Sequence, residues 1–373
     1  MPDPLGRACV FPSINKPSVT AVDICIWRSG QRGAYAKWLM YIINSPDVRN
    51  KIQLLASGTT RQRISGGNLK KLSLPVPPLN EQRRIVAKLD RLFARSCRAR
   101  DELERIPKLC DRYKQAVLAT AISGEMTKEW REIQKLPEPK IVRLTEVVSD
   151  FSYGSSAKSL SSGMVPVLRM GNIQNGSLDW TDLVYTSDPA EIKKYRLQEG
   201  DVLFNRTNSP ELVGKTALYR GESEAIYAGY LIRICCSLDL LPEFLTYALN
   251  SPLGRYYCWQ VKTDGVSQPN VNAKKLGSFT FELPSTAEQK EIVQRIEKMF
   301  KAIDLMAQEY QKASQLCDRL EQATLSKAFR GELVPQDPND EPASALLERL
   351  QAENPTQTKG KSVKSKQRSG GQS

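Results

Sequence analysis

Residues 81–125 are written twice in this chain. The first copy opens EQRRIVAKLDRLF and closes QAVLATAISGE, and residues 288–332 open EQKEIVQRIEKMF and close EQATLSKAFRGE. Glu81 recurs as Glu288, Phe93 as Phe300 and Gly124 as Gly331, a constant offset of 207 with no gap. In the first copy Ile85, Leu89, Leu92, Ser96, Ala99, Leu103, Ile106, Cys110, Tyr113 and Val117 alternate steps of four and three. The second copy repeats that register with Ile292, Ile296, Met299, Ile303, Met306, Tyr310, Ala313, Cys317, Leu320 and Thr324. Such spacing is a heptad seam on a long helix. About 40 residues at 1.5 Å each span roughly 60 Å, and an apolar stripe of that length needs a mate. Its own copy is the obvious one; two ordinary amphipathic helices, each covering its own domain, are the alternative. Gly124 and Gly331 are natural C-terminal stops. Pro107 is the discord: it should kink or split the first helix after Ile106, whereas the second copy has Ser314 there.

Composition narrows what the helices can serve. A chain of 373 residues accommodates two or more domains with their own cores. No apolar run is long enough for a membrane span and no apolar segment opens the chain, so a cytoplasmic protein away from membranes is expected. The eight cysteines include no C-x₂-C pair and histidine is absent, so reduced thiols and no metal site are expected. The net charge of +13 is unevenly spread: +8 in residues 1–80, +4 in 81–138, zero in 139–286, −4 in 287–353 and +5 in the last twenty. A basic chain favours a polyanion, but here the excess sits in the first segment and the tail. Solubility charge is the bland alternative.

The regions around the helices are repeated as well. GRACVFP (6–12) matches GKTALYR (214–220), and YIINSP (41–46) matches YALNSP (247–252). LKKLSLPVPPLNEQ precedes the first helix as AKKLGSFTFELPSTAEQ precedes the second. Residues 141–213 have no counterpart in the first copy. Short β-rich runs, VPVLRM, DVLFN, TALYR and YLIRICC, are separated there and beyond by Gly, Asn, Ser and Pro clusters. Helices are expected over Pro242–Asn250 and, in the first copy, over Ala36–Pro46, with Asn-Ser-Pro as the stop. The fold class is therefore α+β, with mixed β-rich domains alternating with two long helices. The divisions are a partial domain (1–80), a helix (81–125), a connector (126–140), a whole domain (141–286), a helix (287–333) and a basic, mostly disordered tail (334–373) that opens with a short helix.

In VPVLRMGNIQNG, GDVLFNRTNSPELVGKTALY, LASGTTRQRISGGNLKKLSLPVPPLNEQRRIVAKLDRLF and LSKAFRGEL, the chain resembles the DNA-specificity subunits of type I restriction-modification systems. The likeness runs from Gly6 to Leu333, apart from the connector. The resemblance implies a non-catalytic subunit whose two target-recognition domains each read part of a split sequence in double-stranded DNA. It also implies that the long helices pack as an antiparallel coiled coil and set the half-site spacing. Methyltransferase subunits would dock on them, and a motor-nuclease subunit would join for cleavage. The departure is at the front, where the first domain lacks a counterpart of residues 141–213. A truncated, non-functional subunit or a coiled-coil scaffold is the competing reading.

The chemistry agrees with a non-enzyme. Without histidine, His-based acid–base and nucleophilic sites are excluded. No phosphate-binding G-x-x-x-x-G-K-[ST] loop or methyl-donor loop is present, and GNIQNG (171–176) reads as a turn. No cofactor is expected. Base reading needs Arg or Lys toward guanine and Asn or Gln toward adenine. Turn-rich positions offer Lys158, Arg169, Asn172, Asn175, Arg206, Asn208, Lys262, Gln268 and Asn270, with Ser155 and Lys158 in a flexible loop suited to phosphate. Gln62 and Gln268 are matched by the repeat. Arg206 is the preferred contact, although Arg206 and Asn208 serve equally well as turn-ordering groups. Lys70, Lys71, Lys274 and Lys275 fit a solvated face or phosphate contact, and Asp201 a turn or helix cap. The helix-pairing residues are Ile85, Leu89, Leu92, Leu103, Ile106, Ile292, Ile296, Met299, Ile303 and Met306. Leu103→Asp or Ile303→Asp should lower the helical melting transition and loosen partner assembly, and unchanged melting with unchanged co-purification would refute pairing.

Overall fold

The computed structural model describes residues 5–12, 14–20, 24–28, 35–58, 62–174, 176–207, 213–262 and 269–353. The tail from residue 354, expected to be disordered, lies outside them. Two compact units are present: Met1–Arg105 with Tyr310–Ser373, and Ile106–Glu309.

The first unit begins with α1 (Ala36–Ile43), α2 (Pro46–Leu54), α3 (Gly66–Leu69) and α4 (Leu79–Leu103). The Asn-Ser-Pro stop also acts as a start. Ser45 Oγ donates to the Ile42 carbonyl at 2.6 Å, and Pro46 opens α2, where a missing N–H costs nothing. Trp38, Ile42, Val48 and Ile52 pack with Ile85, Val86 and Leu89 of α4 and with Leu325 and Ala328. Farther along α4, Ser96 Oγ donates to Glu321 at 2.7 Å and Arg100 reaches Asp318 at 2.8 Å.

The second unit opens with α5 (Ile106–Ile122), so the first long helix is indeed split, but before Ile106 rather than after it. Proline interferes with the carbonyl four residues back, here Leu103, where α4 ends. Pro107 is then harmless as the second residue of a new helix, whose first turn has N–H groups without partners. The connector contains α6 (Lys128–Gln134). Among the described residues eleven strands follow: β1 (Lys140–Arg143), β2 (Val148–Tyr153), β3 (Val165–Leu168), β4 (Ile173–Gln174), β5 (Ser177–Leu178), β6 (Val184–Thr186), β7 (Val202–Asn205), β8 (Thr216–Leu218), β9 (Ile226–Tyr227), β10 (Leu231–Cys236) and β11 (Thr280–Leu283). Interleaved with them are α7 (Pro189–Tyr195), α8 (Pro242–Asn250), α9 (Pro252–Val261) and α10 (Ala273–Gly277).

The strands order as β2-β10-β7-β8, β6-β3-β9, β1-β11 and the hairpin β4-β5. β3 pairs parallel with β9 and antiparallel with β6, so that sheet is mixed. Strand β7 is buried on both faces because alternate side chains serve two cores. Val202 and Phe204 join Ile232, Ile234, Phe244 and Ile292, while Leu203 joins Leu168, Tyr227 and Leu231. GNIQNG, expected to be a turn, is instead a 3-10 turn ending at Asn172 followed by β4 itself; its Asn175 lies outside the described residues.

The last helices are α11 (Thr286–Phe329) and α12 (Ala343–Glu353). The 44 residues of α11 correspond to roughly 66 Å of helix. Gly331 has φ +77° and lets Glu332 N donate back to the Lys327 carbonyl at 2.9 Å, closing the end; Gly124 takes φ +73° after α5. Among the seam residues, Ile85, Leu89, Ile292, Ile296 and Ile303 are buried, and Leu92, Leu103 and Ile106 are half-buried. Met299 and Met306, expected in the seam, are instead 46% and 60% exposed. A straight helix drifts about 20° per heptad from a seven-residue repeat, and Phe300, partly buried, takes over between Ile296 and Ile303. In the second unit Lys114 of α5 meets Asp304 at 2.7 Å and lies over the Phe300 ring, and Cys110 Sγ approaches the Ile303 carbonyl at 4.0 Å.

A glutamine ties each long helix to the domain before it. Gln289 is fully buried: its Oε1 accepts from Leu241 N at 2.8 Å, and its Nε2 donates to the carbonyls of Asp239 and Pro284 at 2.8 and 2.9 Å. The matching Gln82, equally buried, accepts from Tyr35 N at 3.0 Å and donates to the Pro77 carbonyl at 2.9 Å. Gln289→Ala strands one donor and two acceptors, so it should destabilise the second unit by about 2–4 kcal/mol. A urea midpoint equal to that of the natural protein would contradict this role.

Candidate nucleic-acid interface

The strand register brings two candidate residues, Arg206 and Asn270, to one end of the four-stranded sheet. Ile232 of β10 faces Tyr153 of β2, and Leu231 faces Asn205 of β7, so the residues just outside these pairs converge. Arg206 N donates to the Tyr230 carbonyl at 3.1 Å, and Val271 N donates to the Arg206 carbonyl at 2.9 Å. Thr207 and Asn270 form an isolated antiparallel bridge. The Arg206 guanidinium lies 4.9 Å from the Tyr153 ring centre, and the Tyr153 hydroxyl accepts from Ala273 N at 2.9 Å. Tyr153 and Tyr230 are exposed.

This end of the sheet also holds polar groups without partners. Both amide atoms of fully buried Asn205, Nε of Arg206, Oγ1 of Thr207 and Oδ1 of Asn270 are buried and make no hydrogen bond among the described residues. Each such atom costs about 1–3 kcal/mol. Such groups are rare in folded proteins, and a ligand or a function is one reason to keep them. Asn205 and Thr207 were not singled out in the sequence, although both flank Arg206 in FNRT; a polar pair ending an apolar strand was the available signal.

The other candidates are differently placed. Lys158 is exposed, and Lys262 lies 4.5 Å over the ring of Trp259, which is 54% exposed. Ser155 is buried, its hydroxyl donating to the Glu191 carboxylate and accepting from Ala157 N at 3.1 Å. Asn172 is also buried: Oδ1 accepts from Arg169 N at 2.9 Å, and Nδ2 donates to the carbonyls of Asp179 and Asp182. Arg169 pairs with Asp182 at 3.1 Å. These three side chains hold the β4-β5 hairpin and its neighbours in shape. Asn208 and Gln268 lie outside the described residues, and Gln62 is an exposed residue of the first unit. Lys275 Nζ donates to the Val261 carbonyl at 2.6 Å. Asp201 Oδ2 accepts from Gln198 N at 2.8 Å, which makes it a turn carboxylate.

The cysteines of β10 are poor nucleophiles. Burial, followed by the nearby Asp201 carboxylate, pushes the Cys235 thiol up to about 11; burial pushes Cys236 up to about 12. Among the described residues no three His, Cys, Asp or Glu side chains gather to hold a metal, and no helix is long and apolar enough to cross a membrane.

Residues 14–105 and 140–315 match the type I restriction modification DNA specificity domain. The chain belongs to this family. It is 31% identical over 335 residues to the type I restriction enzyme EcoKI specificity subunit of Escherichia coli K12, an alignment covering 86% of this chain and 72% of that protein. Its fold is similar to that of a chain from a type I restriction-modification complex solved for its assembly and conformational transition. That likeness has a TM-score of 0.64 and 23% identity, covering 82% of this chain and 74% of that one. The HsdS subunit of Thermoanaerobacter tengcongensis is similar with a TM-score of 0.51 and 23% identity, over 81% of this chain and 72% of that one. Specificity subunits of this family are non-catalytic components that bind DNA sequence-specifically and direct partner enzymes to it. Arg206→Ala should weaken specific DNA binding by the assembled complex about 5- to 150-fold, the worth of a bidentate base contact. Arg206→Lys should recover only part of it, and equal affinities of all three proteins in a filter-binding titration would remove Arg206 from the interface.

Proposed function

We propose that the second unit reads one element of a double-stranded DNA target through the sheet end built from Arg206, Asn270, Asn205 and Thr207. Lys158 and Lys262 supply phosphate contacts at its margins. The observation that carries this reading is the gathering of partnerless buried polar atoms beside an arginine already oriented on Tyr153. Asparagine offers paired donor and acceptor atoms to adenine, and arginine a fork to guanine. The zero net charge of residues 139–286 makes the phosphate grip weak for this unit alone. Partner subunits therefore contribute much of the electrostatic affinity.

The long helices act as spacer and docking post, α11 pairing antiparallel with α4 and α5. Two series of contacts support that direction. Ser96 meets Glu321 before Arg100 meets Asp318, and Cys110 meets Ile303 before Lys114 reaches the Phe300 ring. Exposed Met299, Leu305 and Met306, with Leu109 and Tyr113 of α5, leave apolar surface on the second unit's helices for a methyltransferase subunit. A motor-nuclease subunit would complete the complex for cleavage. Residues 1–80 act as a partial recognition domain, 141–286 as the whole one, and the helices over 81–125 and 287–333 set their spacing.

Co-expression with a type I methyltransferase subunit, followed by mapping of methylated bases, tests this reading. Methylation confined to a defined sequence, and relaxed by Arg206→Ala, is the expected result. An assembled complex that methylates without sequence preference would overturn it.

A further inference from the structure

The first long helix carries a charged face that its copy lacks. On α4, Lys88, Arg91, Arg95 and Arg98 follow one another in steps of three, four and three, so they share one side of the helix. All four are exposed, and none forms an ion pair among the described residues. Arg91 and Arg98 donate through Nε to carbonyls of their own helix, Ala87 and Ala94, at 3.2 Å each. The basic groups at either end of the row are occupied. Arg84 pairs with Asp340 at 2.6 Å, and Arg100 with Asp318 and Glu321 at 2.8 and 3.2 Å. Residues 83–100 hold seven basic groups and one acid, Asp90, which Lys37 and Tyr41 engage at 2.7 and 2.6 Å. Like charges three or four residues apart destabilise a helix, and a merely solvated face ordinarily mixes the two signs.

The repeat indicates that the helix itself does not need these charges. The matching positions on α11 are Arg295, Lys298, Ala302 and Leu305. Arg295 is occupied by Glu291 at 2.7 Å and by the Met126 carbonyl. Leu305 is exposed beside Met299 and Met306, so the corresponding side of α11 is largely apolar. On α4 no large apolar side chain is exposed. Protein interfaces are anchored by apolar and aromatic side chains, which the α4 face does not offer. Its four cations suit a regular polyanion instead. Ten residues from Lys88 to Arg98 span roughly 15 Å of helix. One strand of duplex DNA presents a phosphate about every 3.4 Å along its axis, so about four phosphates fall within that length. Three of the four side chains are arginines, whose fork matches phosphate oxygens.

We propose that this face of α4 binds the phosphate backbone of double-stranded DNA without regard to sequence. Residues 139–286 carry no net charge, so the recognition domain that selects bases holds the duplex weakly by itself. The α4 row supplies phosphate contacts from within the same chain. The inference rests on the DNA binding of the family, and not on the assignment of base reading to Arg206.

Fluorescence anisotropy titrations of the full chain against a mixed-sequence DNA duplex, repeated over a range of salt concentrations, test it. A mixed-sequence duplex makes the result independent of which residues read bases. Lys88→Gln, Arg91→Gln, Arg95→Gln and Arg98→Gln combined should flatten the slope of log affinity against log salt by roughly 3 to 4. Each replacement alone should flatten it by about one, so the single variants decide the matter if the combined one does not keep its helical circular dichroism. Arg91→Lys, which keeps the charge, should leave the slope unchanged. Slopes equal to that of the natural chain in the folded Gln variants would overturn the proposal. So would equal slopes with loss of methyltransferase co-purification, which would make an acidic protein face the occupant.

Discussion

A buried amide at the start of each long helix is the contact on which the architecture turns. A helix can carry a recognition domain at a defined angle only if its first turn is fixed to that domain. The first turn is also where backbone N–H groups lack helical partners. Gln289 solves the first problem by joining the helix start to the carbonyls of Asp239 and Pro284 and to the N–H of Leu241, and Ser285 Oγ accepts from one first-turn N–H, that of Glu288, at 3.3 Å. Glutamine suits this place because one neutral side chain both donates and accepts. Its neighbour Glu288 is equally buried and takes hydrogen bonds from Thr127 and Arg131, so the connector is tied to the same turn. Gln82 repeats the clamp with Tyr35 and Pro77, so the device belongs to the repeat and not to one domain.

Strand β7 is the second constraint. Among the described residues it is the only strand hydrogen-bonded to both β8 and β10, and its side chains feed two cores. Its polar end then emerges as Asn205, Arg206 and Thr207, where the apolar cores run out. The strand that stabilises the domain thus also carries the candidate interface, at a cost in partnerless polar atoms that the buried apolar run before it can offset. The first unit illustrates what the strand is worth. There the Asn44 side chain brackets the Ala8 backbone N–H and carbonyl, yet among the described residues Val10, Phe11, Ile24 and Ile26 stay exposed.

Much of this organisation was readable from residue order. Periodicity located both long helices, and Pro242–Asn250 emerged with the bounds its Leu-Pro start and Asn-Ser-Pro stop implied. Pro107 announced the break but not its side, because the ring acts on a carbonyl four residues earlier. Met299 and Met306 fitted a strict heptad yet face outward, since a helix that stays near 3.6 residues per turn drifts off that stripe. In the recognition domain, loop composition nominated Ser155, Asn172 and Arg206 alike. Only the fold separated two side chains occupied within the domain from one set beside unpartnered groups.

The sequence by itself determined the duplicated plan, the helices, the principal strands and the absence of histidine chemistry. These follow from local periodicity, turn residues and composition, which need no knowledge of distant neighbours. Tertiary structure alone decided which face of each helix is covered, which polar side chains are already used, and where the sheet leaves polar atoms without partners. Those properties depend on residues far apart in the chain, such as Arg206 with Tyr153, or Asn44 with Ala8. Hydrogen bonding and burial are settled by such long-range pairs, so even a twice-written sequence can bury a segment in one copy and leave its match exposed in the other.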